Sequence, residues 1–239
     1  MPTLQVLCKK EALDPKRIDN KVVIVLDVLF ATSTIVHAFG EGIESVWPAL
    51  DRHEARDLAK GLTESICAGE YLAEPLRGFA PAMPLALGRA QLRNKILVYS
   101  TTNGTVALRR ASTAAFVYPG ALLNGAALAA HIVCAHPEAP LLVVCAGSAG
   151  SFNLEDFYAA GHLVSHFQKK RRGYTLNDAA LAAMLLHRGC DARTALLGSR
   201  VGKMMCERSM RDEVEYAARC DSLDVVARLE NHRLSRVAL

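Results

Sequence analysis

The sequence predicts an α/β fold, in which a layered, largely parallel β-sheet is flanked by helices and followed by a helical C-terminal portion. Continuous apolar runs such as VVIVL and LLVVC, bounded by Gly, Ser or charged residues, are typical of strands buried on both faces. These runs alternate with stretches of helical spacing, and that alternation favours parallel strands joined by helical crossovers. The predicted strands span 21–27, 43–47, 65–69, 95–100, 115–118 and 141–146.

Helices are predicted between these strands and beyond them. The first five span 31–39, 52–61, 105–111, 122–135 and 154–168. After about Tyr174 the strand pattern fades, and further helices are predicted at 177–187, 192–197 and 212–218, with a final strand near 223–229. Because no Pro- or Ser-rich linker divides the chain, residues 1–239 are predicted to form a single α/β domain.

Composition disfavours several classes of protein. With 51% hydrophobic and 22% charged residues, the 239-residue chain is ordinary for a globular protein, and its net charge of +4 hardly indicates a nucleic-acid partner. Its first residues lack the layout of a signal peptide, and no apolar run reaches the roughly 18 residues of a membrane span. We therefore expect a cytoplasmic protein with neither a membrane nor a nucleic-acid partner. Its seven cysteines form no C-x-x-C pair and are expected to be reduced.

Acidic residues follow several predicted strands, at the edge where parallel sheets bind ligands. Asp27 ends the strand 21–27 and Glu70 directly follows the strand 65–69, so both carboxylates are expected in the crevice. Glu155 and Asp156 fall in the first turn of a predicted helix, where acids suit the helix dipole. Taken alone, each acid is better explained as a cap or a favourable first-turn charge.

Hydroxyl-rich turns accompany these acids. The segment STTNGT at 100–105 stands where a strand passes into a helix, and it offers hydroxyl and backbone N–H groups to an anion. Acids beside such turns suit Mg²⁺-assisted phosphoryl chemistry, because Mg²⁺ binds one or two carboxylates together with water and phosphate oxygens. Spacing alone leaves this chemistry and simple turn-capping about equally favoured.

Single residues exclude other phosphate chemistries. A cysteine phosphatase needs Arg six residues after its nucleophile, but Ser151 stands six residues after Cys145. A haloacid-dehalogenase phosphatase needs a second Asp two residues after the first, where this chain has Leu29. The Gly-Lys-Ser/Thr of a P-loop does not occur in the sequence.

Two further features favour structural interpretations. His162 and His166 share a predicted helical face, but their motif lacks a third metal ligand, so they are predicted to be ordinary helix residues. The basic run 169–172 precedes Gly173, and we interpret it as a helix end rather than a nucleic-acid patch.

Several segments match one known family in order and spacing. They are 25–35 (VLDVLFATSTI), 69–70 (GE), 78–79 (GF), 100–105 (STTNGT) and 154–161, which contains LED and AAG. Together they resemble the 2-phosphosulfolactate phosphatase (ComB) family over most of the chain, while the C-terminal part, including Asp221, matches more loosely. The resemblance implies a Mg²⁺-dependent hydrolase of coenzyme M biosynthesis. Its substrate is a small phosphorylated organic acid, 2-phospho-3-sulfolactate, and its products are 3-sulfolactate and phosphate.

The resemblance also implies roles for individual residues. The candidate Mg²⁺ ligands are Asp27, Glu70, Glu155 and Asp156, and the catalytic candidates are Asp27, Glu70 and Asp156, none of which is singled out as the base. Phosphate and sulfonate oxygens are expected at Thr32, Ser33, Thr34, Ser100, Thr101, Thr102, Asn103 and Gly104. A homodimer is the expected assembly, because soluble enzymes are most often symmetric dimers.

The chain departs from the family pattern in two places. Phe30 stands where the family usually has Arg, which removes a bidentate phosphate contact, and Ala80–Pro84 lacks the family's polar residues after Gly-Phe. Arg77 is the candidate to compensate for the lost charge. Three alternatives stay open: the family reaction, hydrolysis of another small phosphoester, and non-catalytic anion binding.

Overall fold

The structure is a computed structural model, and it describes residues 1–171 and 173–238. In chain order the strands are β1 (Thr3–Leu7), β2 (Val22–Leu26), β3 (Ser45–Ala49), β4 (Ser65–Tyr71), β5 (Glu74–Pro75), β6 (Ile96–Ser100), β7 (Phe116–Gly120), β8 (Leu141–Cys145), β9 (Thr175–Leu176), β10 (Ala227–Glu230) and β11 (Arg233–Arg236). The helices are α1 (Ala31–Gly40), α2 (Arg52–Lys60), α3 (Pro84–Gly88), α4 (Gly104–Arg110), α5 (Gly125–Ala135), α6 (Leu154–Lys170), α7 (Asp178–Gly189), α8 (Ala192–Gly198), α9 (Arg200–Glu207) and α10 (Arg211–Ala217). The predicted α/β fold with a helical C-terminal portion is confirmed.

All eleven strands of the described ranges lie in one mixed sheet, in the order β5-β4-β6-β3-β11-β10-β7-β2-β8-β1-β9. Strands β4, β6 and β3 are parallel to one another, and so are β7, β2, β8, β1 and β9. The hairpin β10–β11 lies between these two groups and pairs antiparallel with β7 and β3. Because three antiparallel pairings separate β7 from β3, the two parallel groups run in opposite senses along the sheet.

The hairpin holds the two groups together only near their amino-terminal ends. Leu229 pairs with Val117 at the start of β7, and Leu234 pairs with Val46 at the start of β3. Helices α1 and α4 share one buried core with strands of both groups, so the sheet wraps around these two helices. A second core covers the opposite face of β2 with residues of α5, α6 and the C-terminal helices. Although the two groups run in opposite senses, residues at the carboxyl ends of β2 and β8 and of β4 and β6 line one common cavity.

Two expectations about partners bear on the surface of the fold. None of the helices in 1–171 and 173–238 has the length and apolar character needed to cross a bilayer. Helix α6 ends at Lys170, as the helix-end interpretation of the basic run predicts, and Arg171 forms an ion pair with Glu138 at 2.8 Å. Arg172, the last residue of that run, lies outside the described residues.

Candidate active site

The turn between β2 and α1 brings Asp27 to the site. Five buried residues form β2, and Asp27 follows them directly. The turn is closed by Thr32, whose hydroxyl accepts a hydrogen bond from the Asp27 N–H at 2.9 Å and donates to the Asp27 carbonyl at 3.0 Å. Asp27 is 8% exposed, and its side chain lines a cavity.

The three hydroxyls that open α1 are buried and bonded to the backbone. Thr32 donates to the Asp27 carbonyl, Ser33 donates to the Val28 carbonyl at 2.8 Å, and Thr34 lies 2.9 Å from the Phe30 carbonyl. None of the three lines the cavity. Their contacts therefore give no support to the expectation that they hold phosphate or sulfonate oxygens, because their donors already stabilise the turn.

Asp156 links two turns of the site. Its Oδ1 accepts a hydrogen bond from the Val28 N–H at 2.9 Å, and its Oδ2 accepts one from the Gly147 N–H at 3.1 Å. Each oxygen thus holds a backbone group of a different strand-to-helix turn. Burial, together with the neighbouring charges of Asp27 and Glu155, raises the pKa of Asp156 well above its ordinary value. In this arrangement Asp156 positions Asp27, and it does not line the cavity.

Glu155 is buried, and its neighbours compensate only partly for the loss of solvent. It is 1% exposed, and neither of its carboxylate oxygens has a hydrogen-bond partner within the described part of the chain. Burial raises the pKa of Glu155 and outweighs its own backbone N–H, the Ser199 hydroxyl and the positive charge of Arg200, which act in the opposite direction. The negative charge of Glu155 in turn raises the pKa of Asp27. Buried polar atoms are almost always paired, so this carboxylate needs a cation or water to satisfy it.

Asp27 experiences the combined repulsion of the site's acids. Desolvation is the largest cause that raises the pKa of Asp27, to about 7, and repulsion by Glu70 and Glu155 adds to it. The positive charge of Lys10 acts in the opposite direction. A divalent cation would relieve this repulsion.

Glu70, on β4, orders the loop between β6 and α4. Its carboxylate accepts hydrogen bonds from the Thr102 N–H at 2.7 Å, the Thr102 hydroxyl at 3.1 Å and the Ala73 N–H at 2.7 Å. Thr101 is fixed by Thr105, whose hydroxyl accepts from the Thr101 N–H at 3.0 Å. Glu70, Thr101 and Thr102 all line the cavity.

Gly104 lets this loop approach the β2–α1 turn. A Cβ atom at residue 104 would lie 2.4 Å from the Ala31 Cβ and 2.7 Å from Asp27 Oδ2, so only glycine fits at this distance. Its neighbour Asn103 lines the cavity, whereas Ser100 is buried at the end of β6 and neither it nor Gly104 lines the cavity.

Two cations reach the site from distant segments, and the sequence did not indicate either of them. Lys10 is 8% exposed and donates to Asn103 Oδ1 at 2.8 Å. Arg200 lines the cavity from the first position of α9 and donates to Asn153 Oδ1 at 3.2 Å. Arg77, the predicted compensating cation, is exposed on the loop after β5 and does not line the cavity.

The cavity has a volume of about 390 Å³ and a predominantly apolar wall. Asp27, Glu70 and Arg200 supply its charged groups. Phe30, which stands where the family pattern has Arg, forms part of the wall. The other apolar residues of the wall include Phe79, Met83, Met204, Met205 and Met210.

The positions of the four predicted metal ligands limit how many of them one cation could bind. Among the residues that the structure describes, no three of Asp27, Glu70, Glu155 and Asp156 place ligand atoms within 4.8 Å of one another. Mg²⁺ commonly takes one or two carboxylates and completes its coordination with water and phosphate oxygens. Asp27 lines the cavity. Glu155 does not, but its charge acts on Asp27 and its oxygens lack hydrogen-bond partners in the described residues, so these two acids are the best suited to hold the ion.

Comparisons with known proteins point to one family. The family model described as 2-phosphosulpholactate phosphatase matches residues 7–232. A protein of Symbiobacterium thermophilum named "Probable 2-phosphosulfolactate phosphatase" is 32% identical over 212 residues, which cover 87% of this chain and 90% of that protein. Proteins of the same name from Carboxydothermus hydrogenoformans and Clostridium beijerinckii are 31% and 24% identical. The first match covers 88% of this chain and 87% of the relative, and the second covers 97% and 98%.

Proposed function

Given that the chain belongs to the 2-phosphosulfolactate phosphatase family, we propose that it is a Mg²⁺-dependent phosphatase that converts 2-phosphosulfolactate to 3-sulfolactate and phosphate. The observation that carries the Mg²⁺ dependence is Glu155, whose two buried oxygens lack partners among the described residues. An incompletely compensated buried carboxylate is costly, and a bound divalent cation removes that cost.

In this proposal the four acids divide into two that bind the ion and two that position other groups. Asp27 and Glu155 would hold the ion, Asp156 orients Asp27 by fixing the turn after β2, and Glu70 fixes Thr102 at the cavity wall. When bound, Mg²⁺ supplies Lewis-acid polarisation of phosphoryl oxygens and lowers the pKa of a bound water.

The cations and the apolar wall complete the site. Arg200 lines the cavity and supplies a planar donor group for substrate oxygens. Lys10 holds Asn103 in place and adds positive charge near Asp27. The apolar wall excludes water, which strengthens each of these electrostatic interactions.

A second candidate substrate class is favoured by the composition of the wall. Phe30, Met83 and Met205 line the cavity, and burying a sulfonate against such groups costs free energy unless a cation pairs with it. A 2-phosphorylated organic acid with an apolar substituent in place of the sulfonate avoids this cost. On this alternative the catalytic acids act in the same way and only the preferred substrate differs.

The test compares two phosphoesters in the presence of Mg²⁺. Values of kcat/KM are measured for 2-phosphosulfolactate and for an analogue in which an isopropyl group replaces the sulfonate. A higher value for 2-phosphosulfolactate supports the main proposal, and a higher value for the analogue supports the second candidate. If neither compound releases phosphate from folded protein, both are refuted.

The variant Phe30→Arg tests whether residue 30 contacts the substituent. If residue 30 faces the substituent, restoring the cation raises the preference for the sulfonate by about 10- to 100-fold, the usual value of one charge-assisted hydrogen bond. A contact with the phosphate, which both compounds carry, would leave the preference unchanged. Leu185→Arg adds the same charge on an exposed position of α7 and should leave the preference unchanged. Equal substrate preferences in the two variants would show that residue 30 does not determine which substituent the site prefers.

A further inference from the structure

A second cluster of ligating side chains lies outside the cavity wall, where α6 packs beside the segment before β10. The Nε2 atoms of His162 and His166 lie 3.0 Å from Oδ1 and Oδ2 of Asp221, respectively. One ligand atom from each of these three residues lies within 4.8 Å of the other two. The two histidines are four residues apart on α6, so their rings project from the same face of the helix.

The backbone holds the Asp221 carboxylate in place. Its Oδ1 accepts a hydrogen bond from the Ala126 N–H at 2.7 Å, and its own N–H donates to the Leu122 carbonyl at 2.8 Å. Gly125 makes room for the ring of His162, because a Cβ atom at residue 125 would lie 2.6 Å from that ring. The start of α5 therefore accommodates the histidine and orients the acid at the same time.

A chain of contacts orients His162 behind the cluster. His162 Nδ1 lies 3.1 Å from His187 Nε2, and His187 Nδ1 lies 3.4 Å from the Ser165 hydroxyl. A proton on His162 Nδ1, shared with His187, leaves His162 Nε2 free to bind a cation. Metal-binding histidines are commonly held in this way by a partner at the second ring nitrogen.

We propose that His162, His166 and Asp221 form a binding site for a divalent transition-metal ion such as Zn²⁺. Imidazole and carboxylate ligands suit Zn²⁺, whereas Mg²⁺ prefers oxygen ligands, so this site differs in chemistry from the acidic site of the cavity. Ligand atoms of a tetrahedral zinc ion stand about 3.3 Å apart. Here each histidine Nε2 lies 3.0 Å from a different oxygen of Asp221, and one ligand atom from each of the three residues lies within 4.8 Å of the other two. Asp221 is exposed at the surface, which leaves a fourth position for water.

The competing explanation is a metal-free hydrogen-bonded cluster, in which both histidines donate to Asp221. Both arrangements satisfy the same distances. They differ in whether the protein takes up zinc and in whether these three residues are responsible. Neither readout depends on phosphatase activity, so the result stands apart from the proposed function.

The test uses the full chain, stripped with a chelator and titrated with Zn²⁺ alone by calorimetry and thermal unfolding. The proposal predicts one zinc ion per chain and a rise in Tm of roughly 5–10 °C at a free zinc concentration of about 100 times the Kd. His166→Ala removes one ligand, and Asp221→Asn weakens another while its amide oxygen keeps the Ala126 contact. Each is expected to lower zinc affinity by at least about tenfold.

Two matched variants locate the ion. His53→Ala removes an exposed histidine from α2, and Asp27→Asn alters the acidic site, so both are expected to keep wild-type zinc affinity. Failure of the wild type to bind zinc would overturn the proposal. Unchanged affinity in His166→Ala and Asp221→Asn, or loss of zinc only in Asp27→Asn, would overturn it as well, because the ion would then lie elsewhere.

Discussion

Replacing Gly104 with alanine tests the close approach that brings the β6–α4 loop to Asp27. The new methyl group would lie 2.4 Å from the Ala31 Cβ and 2.7 Å from Asp27 Oδ2. Carbon atoms in contact are about 3.5–4.0 Å apart, so α4 and the β2–α1 turn must separate by about 1 Å. Overpacking of this kind costs about 1–3 kcal/mol, while the better helix propensity of alanine returns at most about 1 kcal/mol.

The variant Gly198→Ala is the matched control. Gly198 is the last residue of α8, and a Cβ atom there would meet nothing within 4 Å. This control is expected to be neutral or stabilised by up to about 1 kcal/mol. Gly104→Ala is expected to be less stable than wild type by about 1–2 kcal/mol, as urea unfolding would measure.

Activity provides a second readout of the same substitution. A displacement of about 1 Å at a catalytic site can lower the rate by about 100-fold, so kcat/KM is expected to fall by that order in Gly104→Ala and to stay unchanged in Gly198→Ala. If the two alanine variants have the same stability and activity, the close contact between Gly104 and Asp27 does not exist as described.

The remaining predictions concern the acids of the site. Glu155→Gln removes a buried charge that its neighbours only partly compensate, so in EDTA it should raise the free energy of unfolding. Calorimetry should detect weaker Mg²⁺ binding, and a destabilised variant with wild-type affinity would contradict this. Asp156→Ala should destabilise the protein by roughly 2–6 kcal/mol in urea unfolding, because the N–H groups of Val28 and Gly147 lose their acceptor; a cost below about 1 kcal/mol would argue against that link. In EDTA, the free energy of unfolding of the wild type should fall as the pH rises from about 4 to 7, and it should fall more steeply than that of Asp27→Asn. The reason is that the folded Asp27 carboxyl, with a pKa of about 7, keeps its proton in this range, whereas the unfolded carboxyl, with an ordinary pKa of 3.8, has released it. Parallel curves of unfolding free energy against pH, from denaturant titrations of the two proteins, would refute this.

Local sequence patterns predicted most of the parallel strands, most clearly β2 and β8, which are continuous buried runs. Strand β2 is buried at all five positions, and its VVIVL run is unambiguous. Strand β1 was missed because only Leu4 and Val6 of its five residues are buried, which leaves a weak pattern. A single strand was predicted at 223–229, whereas the structure has a hairpin whose first strand, β10, begins at Ala227. The hairpin was missed because its charged residues mask the alternation of apolar and polar positions.

The site was only partly predictable for a related reason. Asp27 and Glu70 line the cavity near the ends of their strands. They could be predicted because ligands bind beyond the carboxyl ends of parallel strands, and the end of a strand can be located from the local sequence. Lys10 contacts Asn103 across 93 residues of sequence, and Arg200 arrives from the C-terminal helices, so both depend on tertiary packing that single-sequence spacing does not encode.

The hydroxyls that open α1 illustrate a different limit. A threonine or serine at the start of a helix can face a ligand or donate to a nearby backbone carbonyl, and sequence does not distinguish the two. In the structure Thr34 donates back to the Phe30 carbonyl, one helical turn earlier, which a list of polar residues could not reveal.

The most direct test of the account is the initial rate of phosphate release from 2-phosphosulfolactate as a function of Mg²⁺ concentration, measured for wild type and Glu155→Gln. We expect a saturable dependence on Mg²⁺ and no release in EDTA for the wild type, with Glu155→Gln requiring a much higher Mg²⁺ concentration for half its maximal rate. Full activity of the wild type in EDTA, or identical Mg²⁺ dependence in the two proteins, would contradict the assignment of the ion to Asp27 and Glu155.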